Sequence, residues 1–174
     1  MSDTTTARPV RLGWATVATP DGPFTALFDD KGTVYASGWT SERDYLAALI
    51  HPSLTPDKLV NRPGTRVTHA VRDYYLGDLA APATIAVHQL GGPFITAAWA
   101  ALRQVPPGPP VTYTELAERA GNAAAVRGAA ACCSRNAAAL FVPCHRVVRS
   151  NGGLGGFRYG LDRKAALIDR ECGF

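Results

Sequence analysis

Between Leu12 and Trp39, apolar and β-branched residues come in short runs separated by turn-forming clusters. Leu12–Val17 is followed by Pro20-Asp21-Gly22-Pro23, Phe24–Phe28 by Asp29-Asp30-Lys31-Gly32, and Thr33–Ala36 completes the set. Glycine supplies positive φ and proline a pre-set φ for a tight reversal, so the pattern predicts a three-strand antiparallel meander. Ser41 can cap a helix reaching about Ile50, where His51-Pro52 ends it. A second helix is predicted near Val67–Leu76 and a further strand over Pro82–Gln89. No segment here carries recognisable chemistry, and residues 1 to about 90 read as a small α/β scaffold domain.

After residue 90 the text becomes helical. Pro93–Arg103 predicts a helix, and Gln104-Val105-Pro106-Pro107-Gly108-Pro109-Pro110 a stiff connector over about 104–111, since four prolines and a glycine cannot continue it. Thr112 and Glu115 have the spacing of a capping box, with Leu116, Ala117 and Ala120 as an apolar stripe. Gly121 suits a left-handed stop, and Asn122 can cap a helix running from Ala123 to about Ser134. Two short helices joined this way predict a helix-turn-helix. The second is almost all Ala and Gly, with Arg127 projecting. Alanine there is also simply the best helix former. Small side chains at Ala125, Gly128 and Ala129 would equally let the backbone approach a narrow groove, with Arg127 as the one long probe.

Charge sharpens this picture. Residues 1–100 hold 8 Lys/Arg and 9 Asp/Glu, whereas residues 101–174 hold 10 and 5, giving the net +4. Within 127–164 the count is 7 basic to 1 acidic, and six of the seven are Arg, the side chain best suited to phosphate. A solvated basic face and a nucleic-acid footprint both fit. Cys132, Cys133, Cys144 and Cys172 all lie in the last quarter with no C-x-x-C spacing, which argues against a secreted disulfide scaffold and a zinc knuckle. No run approaches the roughly 20 apolar residues of a membrane span. Met1–Arg8 lacks the layout of a secretion signal, so a cytoplasmic location is expected.

Candidate chemistry concentrates in Leu140-Phe141-Val142-Pro143-Cys144-His145-Arg146-Val147-Val148. An apolar run delivers a thiol beside an imidazole at a proline-marked bend. The thiolate is the nucleophile, a free thiol is mostly protonated at neutral pH, and a neighbouring His can take the proton if a carboxylate fixes its tautomer. A cysteine hydrolase would use the same pair, although hydrolases bring theirs from distant segments.

The wider pattern is more specific. Asn136 eight residues before Cys144, then Pro-Cys-His-Arg-Val, the glycine-rich Arg149–Leu161 and Glu171 resemble the O6-alkylguanine-DNA alkyltransferase family. Val126–Asn136 is similar to the recognition helix and Asn hinge of bacterial members, especially the C-terminal half of the adaptive-response protein. Phe94, Trp99, Leu102, Pro106 and Gly108 match the helix and turn that open that half. The resemblance runs from about Phe94 to Glu171 and is only architectural before it. It implies an α+β fold in two domains, a ribonuclease H-like scaffold over 1–90 and a mostly helical DNA-binding and acceptor domain over 91–174.

The resemblance also implies roles. Cys144 is the alkyl acceptor, His145 draws off its proton through a water, and Glu171 orients the imidazole. Asn136 bridges the hinge to the active-site strand, Tyr113 donates to guanine N3, and Arg127 fills the stack left by the flipped nucleotide. Pro143, Val147, Phe157 and Arg158 form the pocket wall. The partner is double-stranded DNA bearing alkylated guanine, approached from the minor groove, with no cofactor, metal, membrane or obligate protein partner. A non-catalytic lesion-binding relative is the alternative, and it would lack the nucleophile. Two departures stand out: Ala137 where the family usually has Pro, which predicts a looser hinge turn, and Phe157 where many relatives have Tyr. The adaptive-response sensor domain is absent, so no transcriptional role is expected, and Cys132, Cys133 and Cys172 are expected to be packing thiols.

Overall fold

The computed structural model describes residues 10–173; Met1–Arg8, read above for a secretion signal, lies outside them. Strands β1 (Arg11–Thr19), β2 (Gly22–Phe28) and β3 (Val34–Gly38) form the antiparallel meander, with Thr19 paired to Gly22 across the first turn. A fourth strand, β4 (Lys58–Asn61), runs parallel to β1, so the order is β3-β2-β1-β4 and the sheet is mixed. Its four residues, two of them exposed, sit close to Pro56 and Pro63 and give too short a pattern to read. Helix α1 (Arg43–Ala47) is shorter than predicted. Ser41 does not cap it; instead the Thr40 hydroxyl accepts from the Glu42 N–H at 3.0 Å.

Helix α2 (Arg66–Tyr75) lays Val67, Ala70, Val71 and Tyr74 on the sheet. The strand predicted over Pro82–Gln89 does not form. Ala81–Thr84 is a 3-10 turn with Pro82 near its start, and Val87 makes a single parallel bridge to Val34. Proline has no N–H to give a ladder, so the extended chain begins only after it.

The C-terminal half packs α3 (Pro93–Arg103), α4 (Tyr113–Arg119), α5 (Val126–Ser134) and α6 (Leu161–Cys172) around the two-residue parallel strands β5 (Val111–Thr112) and β6 (Val147–Val148). The capping box closes as expected: Thr112 Oγ1 accepts from Glu115 N–H at 3.1 Å, and the Glu115 carboxylate accepts from Thr112 N–H at 2.8 Å. Helix α5 starts at Val126 rather than Ala123. Asn122 Oδ1 accepts from Ala124 N–H at 3.1 Å and its carbonyl from Ala125 N–H at 3.0 Å, so Asn122 closes a turn instead of capping the helix.

Two contacts set α5 against α3. The Trp99 indole N–H donates to the Cys132 carbonyl at 3.0 Å, and a Cβ on Gly128 would lie 2.7 Å from the Phe94 ring. One buried cluster runs from Phe24 on β2 and Trp39 just after β3 to Leu140, Phe141 and Leu167, joining both halves. Among the described residues no helix is long and apolar enough to cross a membrane.

Candidate active site

The hinge after α5 delivers Cys144. Ser37, on β3, donates its N–H to the Ala137 carbonyl at 2.8 Å and its hydroxyl to the Ala139 carbonyl at 2.7 Å, so the sheet holds this segment in place. Asn136 Nδ2 donates to the Val142 carbonyl at 2.8 Å, while its Oδ1 accepts from Ala138 N–H at 3.0 Å. Leu140, buried, is the one non-glycine among the described residues at positive φ (75°), an uncommon conformation that the surrounding bonds impose. The looser turn expected at Ala137 is clamped by a residue from the N-terminal half. Gln89 Oε1 accepts from Ala137 N–H at 2.9 Å, a donor that proline would lack, and Gln89 Nε2 donates to Asn136 Oδ1 at 3.0 Å.

Cys144–Arg146 then forms a buried 3-10 turn, with Cys144 N–H donating to the Val142 carbonyl at 2.8 Å. His145 Nε2 lies 2.7 Å from Glu171 Oε1 on α6. Arg146 grips the same carboxylate through Nε to Oε2 at 2.9 Å and Nη2 to Oε1 at 3.0 Å, and its Nη1 donates to the Val105 carbonyl at 2.7 Å. The Tyr74 hydroxyl on α2 donates to Oε1 at 2.9 Å. Burial pushes the Glu171 carboxyl up, but the hydrogen bond from His145 and the hydrogen bonds and charge of Arg146 outweigh it and hold it at about 2. An ionised carboxylate only accepts, so His145 Nε2 carries its proton and Nδ1 carries the lone pair. Nδ1 is buried with no hydrogen-bond partner among the described residues. Burial lowers the His145 pKa against the opposing pull of Glu171, keeping the imidazole a neutral base.

Cys144 opens onto a cleft of about 650 Å³ that Tyr113, Arg127, Cys133, Phe157 and Arg158 also line. Tyr113 stands at the first position of α4, half-buried, and burial followed by the nearby thiols pushes its hydroxyl up to about 12, so it is a donor at neutral pH. Gly155 opposes it at φ 75°, where a Cβ would come 2.5 Å from the Tyr113 oxygen; glycine is required there for both reasons. Phe157 packs on Trp39 with centroids 5.9 Å apart, and Arg158 Nη2 donates to the Ser134 carbonyl at 2.6 Å, tying the glycine-rich loop to the end of α5. Lys164 of α6 is fully buried and donates to the loop carbonyls of Leu154 and Gly156 at 2.5 and 3.2 Å.

Burial and the neighbouring Cys133 push the Cys144 thiol up to about 12, against smaller downward pulls from Asn136 and Lys164. The resting nucleophile is therefore a protonated thiol that must lose its proton as it reacts. A thiol, a phenol donor and a cationic rim share one cleft, and a neutral imidazole fixed in one tautomer lies buried behind it, next in the chain to the thiol; the set is suited to nucleophilic transfer from a planar polar substrate.

Some expected positions lie elsewhere. Val147 is fully buried and pairs with Val111 in the β5–β6 ladder, and Pro143 lines a separate, smaller cavity with Arg146, so neither lines the cleft. Ala129 is fully buried and Gly128 abuts Phe94; the cleft face of α5 is Val126, Arg127, Ala130 and Ala131. Ala125 is the half-exposed N-cap of α5. Cys133, expected only to pack, lines the cleft. Sequence reading missed Tyr74, Gln89, Arg146 and Lys164. Arg146 sat inside the quoted motif, and an apolar stripe at helical spacing over 161–172 would have put Lys164 on the buried face beside Leu167 and Glu171.

Known proteins match this architecture. The family model for the 6-O-methylguanine DNA methyltransferase DNA binding domain covers residues 93–173. The methylated-DNA–protein-cysteine methyltransferase of Salmonella typhimurium is 32% identical over 167 residues, 93% of this chain and 96% of that protein. The bifunctional transcriptional activator/DNA repair enzyme Ada of Escherichia coli is 44% identical over 91 residues, 52% of this chain and only 26% of Ada. Among solved structures, Mycobacterium tuberculosis OGT in complex with DNA superposes with a TM-score of 0.72 at 26% identity, over 92% of this chain and 93% of that one. With 32% identity to the Salmonella protein over nearly the full length of both added to the site's geometry, this chain belongs to the methylated-DNA–protein-cysteine methyltransferase family.

Proposed function

We propose that this chain repairs DNA by direct reversal, moving an alkyl group from O6 of a flipped-out guanine to Cys144 once and irreversibly. The observation that carries the reading is the buried Cys144-His145-Glu171 series opening onto a cleft that Tyr113 and Arg127 share. As the Cys144 sulfur attacks the alkyl carbon in line, its proton passes through a water to His145 Nδ1. The S–C bond forms, the C–O6 bond breaks, and the electron pair goes to the guanine, whose developing charge Tyr113 relieves by donating at N3. The product is a thioether, and nothing in the reading cleaves it. A duplex hides O6 in the stack, so the base must turn out. The slim face of α5 meets the minor groove and Arg127 fills the gap, with Arg149 and Arg158 at the cleft supplying positive charge toward phosphate. O4-alkylthymine fits the same chemistry.

In this reading residues 1–90 are the scaffold domain and 91–174 the DNA-binding and acceptor domain, joined through the 104–111 connector. A three-strand meander followed by a parallel fourth strand supports the ribonuclease H-like description of the scaffold. The protein works in the cytoplasm. A Cys144→Ser variant should still bind a duplex carrying O6-methylguanine in a gel-shift assay and take up no methyl group; uptake by this variant would remove Cys144 from the role.

A further inference from the structure

Glu171 is shared by more groups than a carboxylate that merely orients an imidazole needs. Oε1 accepts from Tyr74 at 2.9 Å and from Arg146 Nη2 at 3.0 Å while it lies 2.7 Å from His145 Nε2. Tyr74 reaches it from α2, 97 residues away in sequence, and its ring is fully buried against the Tyr75 ring, with centroids 5.1 Å apart. A hydroxyl aimed at a carboxylate from another part of the fold is not required for packing, since phenylalanine has the same shape. Tyr74 keeps its proton throughout, because burial and then the Glu171 charge raise its pKa.

We propose that Tyr74 is a positioning residue of the proton relay: its hydroxyl occupies Glu171 Oε1 so that the carboxylate holds His145 in the Nε2–H tautomer without drawing a second proton onto the ring. This rests on the relay read above and extends it into the N-terminal half. The donors around Glu171 compete for one acceptor. A lone carboxylate beside a buried imidazole favours the imidazolium, which cannot accept the thiol's proton. Each further donor on that carboxylate drains charge from the His145 contact and favours the neutral ring. The charged and titratable groups facing His145 are Arg146 next to it and Glu171 and Lys164 from α6, with Tyr74 from α2 reaching it through Glu171. Two of these, Arg146 and Tyr74, bond directly to the carboxylate, and only Tyr74 does so without carrying a charge.

The test is the pH dependence of Cys144 alkylation by the free base O6-benzylguanine, which needs neither DNA binding nor base flipping. In Tyr74→Phe the acid limb of the rate profile should move to higher pH by about one unit, the scale of a lost hydrogen bond to a charged group. Replacing Tyr74 alone with 3-fluorotyrosine, a stronger donor of nearly the same shape, should move the limb to lower pH, which keeps the test open if the Phe variant does not fold. A limb that stays in place in a folded Tyr74→Phe protein, or shifts downward, overturns the proposal and leaves Tyr74 a packing residue. Glu171→Gln separates this outcome from failure of the relay: an unchanged free-base rate in that variant overturns the relay on which the proposal stands.

Discussion

At the scale of single residues, the site is built on one buried carboxylate that is never free to protonate near neutral pH. Glu171 is held at about 2, below its ordinary value of 4.5, by donors that outweigh burial. The sign follows directly: the unfolded chain takes up the proton first as pH falls, so the bonds to Glu171 contribute fully above about 4.5 and are lost between there and about 2. Denaturation at pH 6 and pH 3 should therefore differ by a contribution on the order of 2 kcal/mol from this group, with the rest lost only below pH 3. Glu171→Gln should be less stable at pH 6, because it strands Arg146 without its counter-charge, and should lose less on acidification. Equal acid sensitivity in both proteins would mean that Glu171 is not the group that fails.

At the scale of elements, the hinge between α5 and the Cys144 turn is held by bonds from the other half of the chain. Gln89→Leu leaves the buried Ala137 N–H without its acceptor and removes one of the two donors to Asn136 Oδ1, the Ala138 N–H remaining, at a cost of about 1–3 kcal/mol. Chemical denaturation should show that loss, and the free-base reaction should slow as Asn136 loses its fixed orientation; unchanged stability would make the clamp incidental. The same elements show what a sequence can disclose. The meander, α3 and the capping box at Thr112 were legible because their signals are local: alternation, turn residues and an i to i+3 side-chain pair. Cys144, His145, Asn136 and Glu171 were legible through motif spacing and resemblance, and the fold brings them together. Gln89 and Tyr74 were not legible, since a glutamine at the end of an expected strand that does not form and a tyrosine on an amphipathic helix acquire meaning only from partners 47 and 97 residues away. Gly128 and Ala129 were misplaced because a helix of small residues has no apolar stripe to tell its inward face from its outward one.

At the scale of the whole molecule, reaching the base and reacting with it fall to different elements. Arg127 lines the cleft from α5, whereas Cys144 and its relay lie on other elements. Arg127→Ala should therefore slow repair of duplex DNA much more than repair of single strands, and leave the reaction with free O6-benzylguanine unchanged, because only the duplex demands unstacking, a cost of a few kcal/mol. Single-turnover rates at saturating protein decide it: equal slowing on both DNA substrates would make Arg127 a phosphate contact.

The central claim, one irreversible transfer to one thiol, is tested most directly by mass spectrometry of the protein after incubation with excess duplex carrying O6-methylguanine. The predicted result is a plateau at one methyl group per protein, found on the peptide that contains Cys144. Methyl groups on the Cys133 peptide instead, or demethylated DNA accumulating beyond one equivalent of protein, would contradict it.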